Sequence, residues 1–109
     1  MEPADTTIHL TDRPPVRIRT ADWPVVARVT WPADREESAR SASRAYVRVR
    51  RHQDGRTIVY GLRAEGSYEQ RVGFLVTQGD DAMEAVRNAC ALVGLDPQGV
   101  FDHMPAESL

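Results

Sequence analysis

Residues 45–64 constrain the fold more than any other part of this chain, because their sequence predicts a β-hairpin with two chemically different faces. Asp54-Gly55 at its centre is typical of a two-residue type I′ turn, in which both central positions need φ > 0. Because side chains alternate across a strand, the turn also predicts which residues share a face. The predicted apolar face contains three cross-strand pairs and Ile58: Val49 with Tyr60, Val47 with Leu62, and Ala45 with Ala64.

The opposite face of the predicted hairpin is basic and carries an aromatic ring. The candidate binding surface consists of Tyr46, Arg48, Arg50, His52 and Arg63. Guanidinium groups beside an aromatic ring can contact phosphates and stack on a base. Arginine and tyrosine are also common anchors in protein–protein interfaces. A solvated outer sheet face commonly carries the same residue types, so a surface without any ligand is the third interpretation.

Charge is distributed unevenly along the chain. Residues 40–71 contain eight arginines and three carboxylates, whereas residues 72–109 contain one arginine and six carboxylates. This pattern predicts a basic surface for an acidic protein or a nucleic acid, or else neutralisation between the two regions across the fold. The overall pI near 5.9 and the absence of a helix-turn-helix pattern weigh against sequence-specific reading of DNA.

The order of elements predicts an α+β fold. Residues 1–15 are expected to be an irregular N-terminal arm because of their prolines, although Thr7 to Leu10 could add briefly to a sheet edge. Residues 16–97 are expected to form a single α+β domain, and residues 98–109 a C-terminal tail. Strands are predicted at 16–19, 25–31 and 70–77 besides the hairpin. The strand at 25–31 is expected at an edge because Pro24 and Pro32 bracket it.

A helix is predicted to close the domain and to cover the apolar face of the hairpin. Asp81 and Glu84 fit a capping box at its start, and Gly94 fits its end. Its apolar stripe consists of Met83, Val86, Cys90 and Val93. The predicted architecture is an antiparallel sheet of about four strands with this one helix on one face.

The sequence offers no pattern for catalysis or for a metal. The three histidines have no metal-ligand spacing, and the single cysteine, Cys90, is expected in the core stripe of the helix. We therefore expect no enzyme activity, no metal and no cofactor. The apolar runs are far shorter than the ~20 residues of a membrane span. The start of the chain lacks signal-peptide character, so we expect a cytoplasmic protein without membrane contact, as a monomer or a homodimer.

Four segments of the chain resemble a group of small proteins carried by conjugative plasmids and integrative elements of proteobacteria. These segments are residues 7–16, 22–27, 47–61 and 104–109, so the resemblance covers both ends and most of the chain. The resemblance implies an accessory gene of a mobile element, in a setting where small proteins often interfere with host defence or regulate element genes. The resemblance does not identify any catalytic residues in this chain.

Three functional hypotheses follow from these observations. The first is a non-enzymatic accessory protein that acts by stoichiometric binding to a host or element protein, including inhibition of a defence system. The alternative is a nucleic-acid-binding or regulatory protein that uses the basic hairpin face. The third is a small enzyme of unknown type.

Overall fold

The fold contains two antiparallel sheets and one main helix. A computed structural model describes residues 3–31, 43–77 and 81–104. The elements in these ranges are β1 (Asp5–Ile8), β2 (Val16–Arg19), β3 (Val25–Trp31), β4 (Ser43–Arg51), β5 (Thr57–Glu65), β6 (Tyr68–Val76), α1 (Ala82–Val93) and α2 (Gln98–Phe101). Strands β3 to β6 form a four-stranded sheet in chain order, and β1 pairs with β2. The predicted α+β class is confirmed.

Helix α1 packs on one face of the four-stranded sheet, and its predicted ends are confirmed. The Asp81 carboxylate accepts backbone hydrogen bonds from Met83 at 2.9 Å and Glu84 at 3.3 Å. Gly94 ends the helix in the left-handed region with φ of 75°. The core between helix and sheet includes Val47, Val49, Val59, Val72, Val86, Cys90 and Val93. Met83, which we expected in the buried stripe, is 39% exposed because it lies in the first helical turn, outside this contact.

The register of the central hairpin differs from the prediction by one residue. The strands pair Val49 with Val59 and Val47 with Gly61, not with Tyr60 and Leu62. The reason is the turn: Gly55 has φ of 97°, but Asp54, like every other non-glycine residue of the described ranges, has no positive φ. A type I′ turn is thereby excluded. Gly55 N–H donates to the carbonyl of His52 at 2.9 Å, which gives a three-residue loop with a left-handed glycine at its end.

Side-chain hydrogen bonds explain why the aspartate prefers this loop. Asp54 Oδ1 accepts the backbone N–H of Arg56 at 3.0 Å, and Oδ2 accepts the Arg56 Nε–H at 2.8 Å. The backbone hydrogen bond from Arg56 is the main reason why the pKa of Asp54 lies below its usual value. Aspartate in such a position forms a local turn of its own, and this interaction stabilises the longer loop.

The changed register transfers half of β5 to the other face of the sheet. Tyr60 lies opposite Arg48, and Leu62 lies opposite Tyr46, so neither faces helix α1 as we predicted. Ile58 moves with them and is only 1% exposed. Burial of apolar side chains on this second face requires a second covering layer.

The β1–β2 hairpin supplies this layer. Ile8 and Ile18 pack with Trp23 and Ile58 in a second apolar cluster, on the sheet face opposite α1. The segment 1–15, which we expected to be irregular, therefore contains a strand that belongs to the packed structure. The predicted architecture had one helix on one face of the sheet, and it lacked the layer that covers the other face.

The predicted edge position of β3 is confirmed, and α2 packs beside it. One extra residue in β3, between the pairs Val25–Arg50 and Ala27–Val49, makes a β-bulge. The segment that we expected to be a tail begins with α2, whose Val100 is completely buried, while residues 105–109 lie outside the described ranges. Of the helices in the described part of the chain, none combines the length and apolar character needed to cross a bilayer.

Candidate anion-binding pocket

A pocket of about 240 Å³ lies where the β1–β2 hairpin meets the sheet face opposite α1. Its lining includes three arginines, two tyrosines and a histidine: Arg48, Arg50, Arg71, Tyr46, Tyr60 and His9. We call this site the arginine pocket. The arginines come from β4 and β6, on either side of β5, which carries Tyr60. The hairpin register places these residues on one face of the sheet.

Arg50 is fixed by hydrogen bonds beside the second apolar cluster and is only 4% exposed. Its Nε–H donates to the Tyr60 hydroxyl at 2.9 Å, and its Nη1–H donates to the Trp23 carbonyl at 2.9 Å. Within the described residues no buried side-chain nitrogen or oxygen lacks a hydrogen-bond partner. A buried guanidinium is tolerated only when it is hydrogen-bonded in this way, so Arg50 is a rigid source of positive charge.

Arg48 and the two tyrosines form a stacked group at the pocket wall. The Arg48 guanidinium carbon lies 4.3 Å from the centre of the Tyr46 ring, a cation–π contact. The Tyr46 and Tyr60 rings meet edge to face, with centres 6.4 Å apart. The tyrosines therefore orient the two pocket arginines of β4, Arg48 and Arg50, and one face of the Tyr46 ring is already covered.

Arg71 contributes an exposed guanidinium from β6. Its Nη2 pairs with Glu69 Oε1 at 2.6 Å, on the same strand. Such exposed ion pairs contribute little free energy and exchange readily with other anions. Arg71 can therefore turn its guanidinium toward a ligand while Arg50 stays in place.

The N-terminal segment, which contributes His9 to the pocket lining, makes close contact with β6. The Thr11 N–H donates to the Gly73 carbonyl at 2.8 Å, and the Gly73 N–H donates to Thr11 Oγ1 at 3.1 Å. A Cβ at position 73 would collide with the His9 carbonyl oxygen. Glycine is thus required where the segment that carries His9 crosses the sheet edge.

The structure brings together three of the five predicted site residues: Tyr46, Arg48 and Arg50. His52 lies apart from them at the hairpin turn, where its Nδ1 accepts the Asp54 N–H at 3.1 Å and its ring lies 5.1 Å from that of Trp23.

Arg63 is on the α1 side of the sheet. Its Nη1–H donates to the Val93 carbonyl at 2.8 Å, and its Nη2–H donates to Glu65 Oε1 at 3.0 Å. A cation at the carboxyl end of a helix is favourable, so Arg63 has a structural role there. We predicted Arg63 in the candidate surface because the predicted hairpin register, which is wrong by one residue, placed it opposite Tyr46, whereas it pairs with Ala45.

Sequence reasoning missed Tyr60, Arg71 and His9. The three-residue loop register would have placed Tyr60 beside Arg48, and alternation along β6 would have placed Arg71 on the same face. For His9 the sequence gives no signal, because its position depends on how the β1–β2 hairpin packs.

A second, more open hollow of about 430 Å³ lies between the β2–β3 connection and the turn of the central hairpin. Its lining contains both an acidic and a basic side chain, Asp22 and Arg51. Charges of opposite sign in one hollow select no class of ligand. The arginine pocket is therefore the stronger candidate.

Metal and thiol chemistry have little basis in the described residues. No cluster of three histidine, cysteine, aspartate or glutamate side chains in these ranges has a geometry that could hold a metal ion. Burial raises the pKa of the Cys90 thiol to about 11, and the Asp96 carboxylate adds to this shift. A thiol in this state is a poor nucleophile at neutral pH.

The chain matches no protein-family model, no curated protein and no solved structure. The candidate site is therefore supported by its geometry and its charge.

Proposed function

We propose that this protein is a non-enzymatic binding protein that recognises an acidic segment of a partner protein through the arginine pocket. The observation that carries the proposal is the lining of one cavity by Arg48, Arg50 and Arg71. Guanidinium groups bind carboxylates through two parallel hydrogen bonds, which gives both affinity and a defined orientation. A carboxylate inserted between these arginines would anchor the partner.

Nucleic-acid binding is the second candidate, because the same guanidinium groups bind phosphates. Two observations favour a protein carboxylate. Arg48 covers one face of the Tyr46 ring, and the β1–β2 hairpin covers part of the sheet face, so bases have little room to stack. The chain also has a net charge of −2, which disfavours association with a densely charged polyanion.

The resemblance to proteins of bacterial mobile elements supports a cellular setting for this activity. In that setting the protein acts in the cytoplasm as an accessory factor, and the acidic partner is a protein of the host or of the element. Inhibition of a host defence protein is one form of such stoichiometric binding.

Binding of labelled probes tests the proposal. We expect a fluorescein-labelled peptide of alternating glutamate and serine to bind, and its glutamine–serine counterpart not to bind. Arg71→Ala should weaken binding about tenfold, the effect of losing one charge-assisted hydrogen-bonded contact. Arg13→Ala is the matched control, since Arg13 is exposed, lies outside the pocket and has a long ion-pair distance of 3.9 Å to the neighbouring Asp12.

A single-stranded oligonucleotide separates the two candidates. For a protein-binding site, the oligonucleotide should bind negligibly at physiological salt. If it binds more tightly than the acidic peptide, with log K falling by about 0.7 per phosphate contact as log [salt] rises, the second candidate is correct. If neither probe binds, the arginine pocket is not an anion-recognition site and the proposal is wrong.

A further inference from the structure

Two arginines face each other across the β3–β4 ladder, next to the arginine pocket. Arg28 and Arg48 are direct partners in this antiparallel pair. Residues in such positions lie on the same face, with Cβ atoms about 4.5–5.5 Å apart, and like charges there destabilise the sheet. The pairing therefore places the two arginines next to each other on neighbouring strands, on the face that also holds the pocket.

Arg28 is exposed, and in the described ranges it forms no ion pair. Among the described residues, the arginines that lie within ion-pair distance of a carboxylate include Arg17 with Asp5, Arg56 with Asp54, Arg63 with Glu65 and Arg71 with Glu69. Arg28 instead has a second arginine as its cross-strand neighbour. An anion bound between Arg28 and Arg48 would have a positively charged side chain on either side.

We propose that the partner's acidic segment carries a second carboxylate, which binds between Arg28 and Arg48 while the first occupies the arginine pocket. This inference rests on the proposed function. Arg48 lines the pocket and also faces Arg28, so the two carboxylate positions are adjacent. The occupant is thus an extended acidic segment that crosses β4 toward the edge strand β3.

The spacing of an extended chain fits these two positions. Neighbouring strands lie about 4.8 Å apart, and side chains i and i+2 of an extended chain lie about 6.6 Å apart on one face. The Arg28–Arg48 pair lies between β3 and β4, and the pocket lies over β4, β5 and β6. The distance between these two positions is therefore one to two strand spacings, and the separation of about 6.6 Å between side chains i and i+2 falls in this range. Two acidic residues separated by one residue are therefore the predicted recognition pattern.

Two labelled peptides of equal length test the inference. One has a single glutamate in a glutamine–serine background, and the other has two glutamates at positions i and i+2. The two-glutamate peptide should bind more tightly to the unaltered protein. Arg28→Ala should weaken its binding about tenfold, as expected for loss of one charge-assisted contact, and leave the one-glutamate peptide unchanged. Arg71→Ala should weaken both peptides, and Arg13→Ala neither.

Charge reversal at the same position distinguishes a binding role from a structural one. Arg28→Glu creates an opposite-charge pair with Arg48, so the urea midpoint of the free protein should stay the same or rise while the two-glutamate peptide loses affinity. If Arg28→Ala and Arg28→Glu leave that affinity unchanged while Arg71→Ala reduces it, this inference is wrong and the proposed function stands. If neither peptide binds the unaltered protein, both are wrong.

Discussion

The Arg50 Nε–H donates a 2.9 Å hydrogen bond to the hydroxyl of Tyr60, across the two central strands of the sheet. The bond joins a buried cation of β4 to a tyrosine of β5, and it exists because the hairpin closes with a three-residue loop. In the register of a two-residue turn, Tyr60 would face the helix and Arg50 would lack this partner. The arginine pocket is therefore a consequence of hairpin register.

Tyr60→Phe should lower the free energy of unfolding by about 1–3 kcal/mol, because a buried guanidinium N–H loses its acceptor while the ring volume is kept. Tyr68→Phe is the matched control: Tyr68 is 56% exposed, and its hydroxyl donates an exposed hydrogen bond to Gln70 Oε1 at 3.1 Å. The control should change stability by less than about 0.5 kcal/mol. Urea unfolding followed by circular dichroism measures both, and equal losses would contradict the role of Tyr60.

The attachment of the N-terminal segment to β6 is tested at Thr11. Thr11→Val removes the oxygen that accepts the Gly73 N–H, whereas Thr11→Ser keeps it. We expect the valine variant to lose about 1–3 kcal/mol of stability, the cost of a half-buried N–H without its acceptor, and the serine variant to lose less. Hydrogen exchange of the Gly73 amide should be faster only in the valine variant. Identical exchange in both variants would show that this bond does not hold the segment.

The Cys90 thiol predicts a pH dependence of stability. Its pKa is raised from 9.0 to about 11 in the native state, so the unfolded thiol loses its proton first as the pH rises. The contribution to stability is therefore fully present below about pH 9 and is lost as the pH rises through about 11. Urea midpoints across this range should fall more steeply for the natural chain than for Cys90→Ala. Parallel curves would mean that the thiol is not buried as described.

Local sequence signals were sufficient for helix α1 and for the edge position of β3. The Asp81 cap, the Gly94 terminus and the proline-bracketed edge strand each depend on one or two residues and their neighbours in the chain. These signals do not depend on what packs elsewhere. They predicted the α+β class, which is confirmed, and the ends of α1.

The hairpin register and the second covering layer could not be predicted in the same way. Asp54-Gly55 is compatible with two loops, and the choice between them depends on hydrogen bonds to Arg56 and on whether Tyr60 and Leu62 have a buried environment. The β1–β2 hairpin provides that environment, but its strands have only four residues each, and the alternation in β2 does not indicate which part of the fold its apolar side contacts. Of the candidate site, the β4 residues were found because alternation within one strand does not depend on register.

Substitution of Arg63 tests whether this residue lies on the α1 side of the sheet and outside the arginine pocket. Arg63→Ala removes a 2.8 Å hydrogen bond to the last turn of α1, so we expect it to lower stability by about 1 kcal/mol. Its affinity for the acidic peptide should not change, because Arg63 lies on the α1 side of the sheet. Arg71→Ala should show the opposite pattern, with reduced affinity and a stability change below about 0.5 kcal/mol, and Arg13→Ala should change neither quantity. Urea unfolding and peptide anisotropy on the same three variants measure both effects. If Arg63→Ala weakens peptide binding as much as Arg71→Ala does, Arg63 belongs to the binding surface and the register described above is wrong.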